Sequence, residues 1–437
     1  MADLSRPERV LRDFLATHLP GSGVSGLVVG LSGGLDSCVL LMALARVAPE
    51  FSLSLRAVHV HHGLSPNADA WAAQVTTVCA RAGVPLSVCR VQVAPQASLE
   101  NAARVARHAA FAAEVREGEA LLLAQHRDDQ AETLLFRLLR GSGLTGLGAM
   151  HPVSRLRRPA VGSLPAWRPL LGLAREDLLR YAQAQGLAWV EDESNADTGL
   201  DRNFLRHEIL PRLATRWPAW SRTLAATAAR LQEADALLDE LALELAVPCI
   251  DAEARLWLPA VMALTAPRQR LVLRHWLRTQ GFLPPDAAVL ERILADALPA
   301  RPDASPRVAW PGAEVRRYRE HLYVMTTLPA PPAEWSCAWD GAAPLALPDG
   351  QWLWREGEGA PAAPWRVAYR AGGERLRPAP GLPSRELRIW WQEQGVPPWR
   401  RERLPLVFAG DELIAVGDMA WPGQPRPWRL HMGGRPG

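Results

Sequence analysis

The chain has 437 residues, 48% of them hydrophobic and 22% charged, with a formal net charge of +3. That length exceeds a single ordinary core, so two or three domains are expected, and the composition is that of a globular protein rather than a disordered or fibrous one. No apolar run reaches the roughly 18 residues that span a bilayer, and the first residues carry Asp3 and Glu8 where a signal peptide needs an apolar core, so a cytoplasmic protein without membrane association is expected.

Strands and helices alternate through the first part. Residues 27–31 read as a short apolar strand, 37–47 as a helix, 55–60 as a second strand and 68–82 as a second helix. A third strand over 86–93, a helix over 99–115, a fourth strand over 120–124 and a helix over 129–139 follow. Such alternation predicts a parallel, Rossmann-like sheet with helices on both faces, which binds ligands at the carboxyl ends of its strands. From 175 onward the periodicity turns helical, over 175–185, 201–213, 221–245, 267–280 and 286–298. The run Leu-Pro-Ala-Pro-Pro-Ala at 328–333 reads as a stiff linker. Beyond it, apolar runs at 404–408 and 413–416 in a Pro-, Gly- and Trp-rich context suit a small α+β domain. The expected fold class is α/β: a parallel-sheet domain over 1–216, a helical middle domain over 217–328 and a small α+β domain over 329–437.

The five cysteines are scattered, with no CxxC pair and no zinc-ligand spacing, so reduced thiols and no structural metal are expected. The chain contains no lysine, so every basic residue among the 49 is arginine. A Walker A loop, which needs its Lys, is therefore excluded.

The string Ser32-Gly33-Gly34-Leu35-Asp36-Ser37 lies between a predicted strand and a predicted helix. There, backbone N–H groups and the positive end of the helix face an anion, the glycines permit close approach, and two hydroxyls add donors. Asp36 is suited to hold Mg²⁺ against phosphates. His59, in His59-Val60-His61-His62-Gly63-Leu64, stands at the exit of the second strand, where a nucleotide would lie. At the exit of the fourth, Gln125-His126-Arg127-Asp128-Asp129-Gln130-Ala131-Glu132-Thr133 runs into a helix. Asp129 and Glu132, three residues apart, share one face near that helix's positive end, where they could bind metal or a substrate amine.

The SGGxDS string resembles the PP-loop of the N-type ATP pyrophosphatases, adenine nucleotide alpha hydrolase-like enzymes that split ATP between its α and β phosphates. Arg168-Pro169-Leu170, the run Glu191-Asp192-Glu193-Ser194-Asn195 and Asp201-Arg202-Asn203-Phe204-Leu205-Arg206 extend the likeness. So do Gly373-Glu374-Arg375-Leu376 and Pro397-Pro398-Trp399-Arg400-Arg401. Together they resemble the tRNA(Ile)-lysidine synthase family over most of the chain. The family usually has His where Gln125 stands, Asn where His61 stands and Arg where Ser65 stands.

The resemblance implies that ATP adenylates the C2 oxygen of the wobble cytidine in isoleucine tRNA with a CAU anticodon. The ε-amine of free L-lysine then displaces AMP. Ser32 to Ser37, with His59, would bind ATP, and Asp36 would hold Mg²⁺. Arg104, Asp129 and Glu132 would bind lysine, with Asp36, Asp129 and Glu132 as the catalytic acids. Arg202, Asn203 and Arg206 would contact tRNA, and the C-terminal domain the acceptor stem. A PP-loop tRNA thiolase and an inactive RNA-binding relative are the alternative readings. Oligomeric state is left open, a homodimer included. The ten tryptophans between Trp335 and Trp428 suit either base stacking or packing of a small domain, with packing favoured.

Overall fold

The computed structural model describes residues 5–93, 99–157, 162–301, 304–327, 334–358, 363–377, 383–419 and 427–435. The expected linker at 328–333 lies outside the described residues. The chain divides into two compact units, Met1–Leu238 and Asp239–Gly437.

The first unit opens with α1 (Arg6–His18), then runs β1 (Gly26–Gly30), α2 (Leu35–Val47), β2 (Ser54–His61), α3 (Ala68–Ala82), β3 (Leu86–Arg90), α4 (Leu99–Glu114), β4 (Glu119–Leu122) and α5 (Arg127–Leu139). A short α6 (Leu144–Leu147), the hairpin β5 (Val153–Arg157) and β6 (Ser163–Trp167), and α7 (Arg175–Ala184) follow. The strands lie in the order β3-β2-β1-β4-β6-β5, all parallel except β5, which runs against β6. Alternate residues of the apolar β1 feed opposite layers: Leu27, Val29 and Leu31 join the core with α1, α2 and α7, and Val28 meets Phe111, Ala112 and Val115 of α4. The order reverses between β1 and β4, so the switch point of the sheet opens where α2 and α5 begin.

Helix α1 was not predicted. Glu8 secures it: 1% exposed, it accepts from the Ser5 amide (2.8 Å) and the Tyr181 hydroxyl (3.2 Å) and pairs with Arg46 (3.0 Å), tying α1 to α2 and α7. The β5–β6 hairpin was also missed, because its strands are short, one is Arg-rich and the other contains Pro165.

The predicted helix 201–213 is α8 (Asp201–Phe204) continued through a π turn over Leu205–Ile209 into α9 (Leu210–Arg216). Helix α10 (Trp220–Ala246) packs Leu224, Ala228 and Leu231 of its first half against Leu134 and Ala149, so this unit extends past the expected boundary at 216.

The second unit contains the expected helices as α12 (Ala266–Thr279) and α13 (Ala287–Arg292), preceded by β7 (Leu256–Trp257) and α11 (Leu258–Met262). It also contains strands that the helical expectation lacked: β8 (Arg307–Trp310), β9 (Ala313–Tyr318) and β10 (His321–Met325) join β7 in the antiparallel order β7-β10-β9-β8. Their inward residues, Leu256, Val308, Val315 and Leu322, share a core with Trp276 and Ile293. The C-terminal part is α+β as expected. Its predicted strands are present at Leu406–Ala409 and Glu412–Val416, within a four-stranded sheet beside the helix Leu387–Glu393. Trp339, Trp365, Trp390 and Trp391 are buried there, so packing accounts for these four. Among the described residues no helix is long and apolar enough to cross a membrane.

Ala228 is fully buried where α10 meets α5. Ala228→Leu should overpack that seam at about 1–3 kcal/mol, seen as a thermal midpoint lower by roughly 2–4 °C per kcal/mol. An unchanged midpoint would show the seam to be slack.

Candidate functional site

The site begins at the turn from β1 into α2. Gly33 adopts φ +93°, and a Cβ on it would stand 2.9 Å from Val75 Cγ2, so both backbone and space require glycine. The Gly33 amide donates to Ser37 Oγ (3.2 Å), the Gly34 amide donates to Ser32 Oγ (3.3 Å), and Ser37 Oγ donates to the Gly34 carbonyl (3.0 Å). The Val190 amide donates to the Gly33 carbonyl (2.9 Å), tying the loop to the segment before the Glu191–Asn195 run. The first i→i−4 bond of α2 is from Cys38 to Gly34 (3.1 Å), so the amides of Leu35, Asp36 and Ser37 precede the helical ladder and point out of its positive end. His59 lies beneath, 5% exposed, with Nδ1 bonded to the Leu31 carbonyl (2.8 Å). Burial lowers its basicity, and neutral His59 braces the end of β1.

The second helix start is α5. His126 is its N-cap, 3% exposed, with Nδ1 accepting from the Asp128 amide (3.2 Å). In the neutral ring that bond leaves the single proton on Nε2, which stands 3.6 Å from Asp36 Oδ2 and 3.5 Å from Asp129 Oδ2. The His126 amide in turn donates to Asp129 Oδ2 (3.1 Å). Burial alone would lower the basicity of His126, but the hydrogen bond to Asp36 and the charges of Asp129, Asp36 and Asp128 outweigh it and raise its pKa.

The chain of charges continues through the π turn. Arg206 donates Nε to Glu132 Oε1 (2.7 Å) and Nη2 to Glu132 Oε2 (2.8 Å) and to Asp129 Oδ1 (3.0 Å). Arg202 approaches Glu132 Oε2 (3.5 Å) and Thr133 Oγ1 (3.3 Å). Burial opposes the charge of Arg206, but its bonded carboxylates hold the guanidinium above the usual range. Glu132 is only 3% exposed, so this fork compensates a carboxylate that could not stand alone there.

The expected residues thus fall into three groups. Asp36, Asp129, Glu132, Arg202 and Arg206 form one continuous cluster beside the Ser32–Ser37 loop. Asn203 turns away, its Nδ2 donating to the Asp197 carbonyl (3.0 Å). Arg104, exposed on α4, is a charge neighbour of His108 and Arg137. His126 links loop and acids yet was given no role from the sequence. Its signal was available, as a histidine at a strand exit immediately before an acidic helix start. Of the departures, Gln125 has a buried Oε1 without a partner, and His61 pairs with Asp69 (3.2 Å).

Asp36 Oδ1 is also buried and lacks a partner, which leaves a hard-oxygen donor at the loop. The donor chemistry fits Mg²⁺, which takes one or two carboxylates and completes its shell with phosphate oxygens and water. All five thiols have raised pKa values through burial, Cys38 to about 12 and Cys79 and Cys89 to about 11, which makes them poor nucleophiles at neutral pH.

Three family models match the chain: a PP-loop domain over 6–213, a TilS substrate binding domain over 256–323 and a TilS substrate C-terminal domain over 365–424. Over 423 residues it is 41% identical to the tRNA(Ile)-lysidine synthase of Methylococcus capsulatus, covering 94% of each chain. With that of Pseudomonas aeruginosa the identity is 46% over 95% of each chain, and with that of Xanthomonas campestris 42% over 92% of each.

Because His126 has a raised pKa in the fold, its stabilising contribution is complete below its ordinary value of about 6.5 and is lost as pH rises through the higher folded value. Asp36→Asn should lower that folded value, read from the His126 ring resonances in an NMR titration. An identical titration curve in the variant would remove the Asp36–His126 coupling.

Proposed function

The chain belongs to the tRNA(Ile)-lysidine synthase family, and from that membership we propose how its own residues share the work. It is an ATP-using, tRNA-modifying ligase, and isoleucine tRNA is its macromolecular substrate. In the family's reaction the C2 oxygen of the wobble cytidine attacks the α-phosphorus of ATP and pyrophosphate leaves. A nitrogen nucleophile then adds at C2 and AMP departs with the oxygen. Adenylation is needed because a carbonyl-like oxygen is a poor leaving group and a phosphate ester is a good one.

We assign triphosphate binding to the amides of Leu35, Asp36 and Ser37, with Ser32, Gly33 and Gly34 shaping the loop and His59 holding it from below. Asp36 is the residue that would carry Mg²⁺, which when bound neutralises phosphate charge as pyrophosphate leaves. Free L-lysine is the nucleophile: Asp129 and Glu132 take its ammonium and Arg104 its carboxylate. Arg206 now occupies those acids, so lysine's ammonium must displace the guanidinium, which then becomes available to the reacting nucleotide beside Arg202 and Asn203. Asp129, which would bear the ammonium, is positioned to take the proton that the attacking amine must lose, and His126 Nε2–H, between Asp36 and Asp129, would orient it. The observation that supports this division most directly is the unbroken run of contacts from Asp36 through His126 and Asp129 to Arg206 and Glu132. We further read 1–216 as catalytic, 217–328 as tRNA-binding and 329–437 as acceptor-stem binding, in a cytoplasmic enzyme.

With ATP, Mg²⁺ and radiolabelled lysine, label should enter isoleucine tRNA bearing a CAU anticodon and not methionine tRNA, with AMP and pyrophosphate released. Release of ADP would defeat the assignment. Asp36→Ala should fold and bind tRNA yet form no product, and full activity in that variant would sink the role given to Asp36.

Replacing all five cysteines by Ala should leave lysine transfer within about twofold, since their raised pKa values keep them protonated. Loss of transfer in a folded cysteine-free variant would reopen the thiolase reading.

A further inference from the structure

Two arginines outside the assigned machinery lack carboxylate partners among the described residues. Arg137, near the end of α5, is held by backbone carbonyls alone: its Nη1 donates to the Gly146 and Ala149 oxygens, each at 2.8 Å. Arg168, just past β6, donates Nη1 to the His151 carbonyl (3.2 Å) and Ser154 Oγ (2.7 Å), and its Nε is buried without a partner. Both guanidiniums anchor to the same stretch, 146–154, near enough that the charge of Arg137 is felt at Arg168. Arg202 comes within 3.3 Å of Thr133, one turn before Arg137 on α5, so the pair continues the cationic flank of the acid cluster. Burial and then neighbouring cations depress the basicity of these groups: Arg202 and Arg104 act on Arg137, Arg137 acts on Arg168, and Arg107, Arg104 and Arg168 act on His108.

Half-buried positive charges gathered in this way repel one another and have given up part of their hydration. Carbonyl partners fix their geometry without neutralising them. An arrangement of this kind is stable in use only if an anion enters, and paired guanidinium forks match the oxygens of phosphate. We propose that Arg137 and Arg168 form a preorganised seat for a phosphate group, and that the phosphate is a backbone phosphodiester of the RNA substrate flanking the nucleotide at the loop. Arg137 lies eight residues beyond Asp129 on α5, roughly 12 Å at the helical rise. That separation favours the RNA backbone over the pyrophosphate formed at the Ser32–Ser37 loop. The seat goes beyond the assignments above and rests only on RNA being the substrate. Its test needs no lysine transfer, so its failure and theirs are distinguishable.

The experiment measures binding of full-length protein to isoleucine tRNA by filter retention without ATP or lysine, over roughly 50 to 300 mM salt, for the wild type, Arg137→Gln, Arg168→Gln and Arg168→Lys. Each Gln variant should bind about tenfold more weakly at low salt, with the slope of log K against log salt shallower by about 0.7–0.9 for the lost phosphate contact. Arg168→Lys, which keeps the charge and loses the fork, should restore the slope but only part of the affinity. Binding of inorganic pyrophosphate, measured by calorimetry without tRNA, should be the same in all four proteins. If pyrophosphate binding weakens while the salt slope stays, the RNA assignment is overturned and the seat serves the nucleotide's phosphates. If both stay, or if affinity falls only in step with the thermal midpoint while the slope is unchanged, the two arginines are structural and the proposal is overturned.

Discussion

Two helices begin within reach of each other at the carboxyl edge of one sheet, and the surplus positive potential of their first turns governs what can be built there. The start of α2 is left open for a triphosphate, because serine hydroxyls occupy only the Gly33 and Gly34 amides. The start of α5 is closed by its own side chains, His126 and Asp129. Carboxylates collect at both starts, as helix dipoles favour, and cations must then be supplied to a site with little water. Arg206 supplies a guanidinium, and His126 adds an N–H donor between the carboxylates. An open helix start and a pocket of carboxylates can therefore stand side by side without an isolated buried charge, since each group is compensated by a neighbour.

The first unit was legible because its constraints are local. The apolar strand 27–31, the two glycines and the helical periodicity from 37 onward all describe the same turn, and only glycine tolerates the Gly33 conformation. Asp129 and Glu132 were placed on one face by their spacing alone. The sequence could not show what lies opposite them. Arg202 and Arg206 are some seventy residues downstream, and their approach to Glu132 depends on how 201–216 folds back over α5. His126 was visible in its string, but its link to Asp36 is tertiary.

The second unit was read less completely, for a different physical reason. Its helices carry a clear 3.6-residue period, whereas β8, β9 and β10 are short, and β8 and β9 interleave arginines with apolar residues. Glu314, 2% exposed and clamped between Arg307 and Arg316, shows how such a strand buries charge by pairing it across the sheet. A pattern of that kind resembles a solvated surface until its partner strands are known. The tryptophans illustrate the converse: four of them are core residues, and composition alone left packing and base stacking as competing uses.

The π turn at Leu205–Ile209 holds one residue more than an α-helix would place in the same span. Shortening it by a single residue would restore a regular helix and, because the span is the same, would leave α8 and α9 in place while narrowing the turn that carries Arg206. Arg202 and Leu210 would keep their bearings, while the side chains of the turn itself would be re-aimed. The length of this segment is therefore as much a part of the enzyme's specification as its side chains, and a homologous helix lacking that extra residue would have to bring its second guanidinium in from a different azimuth.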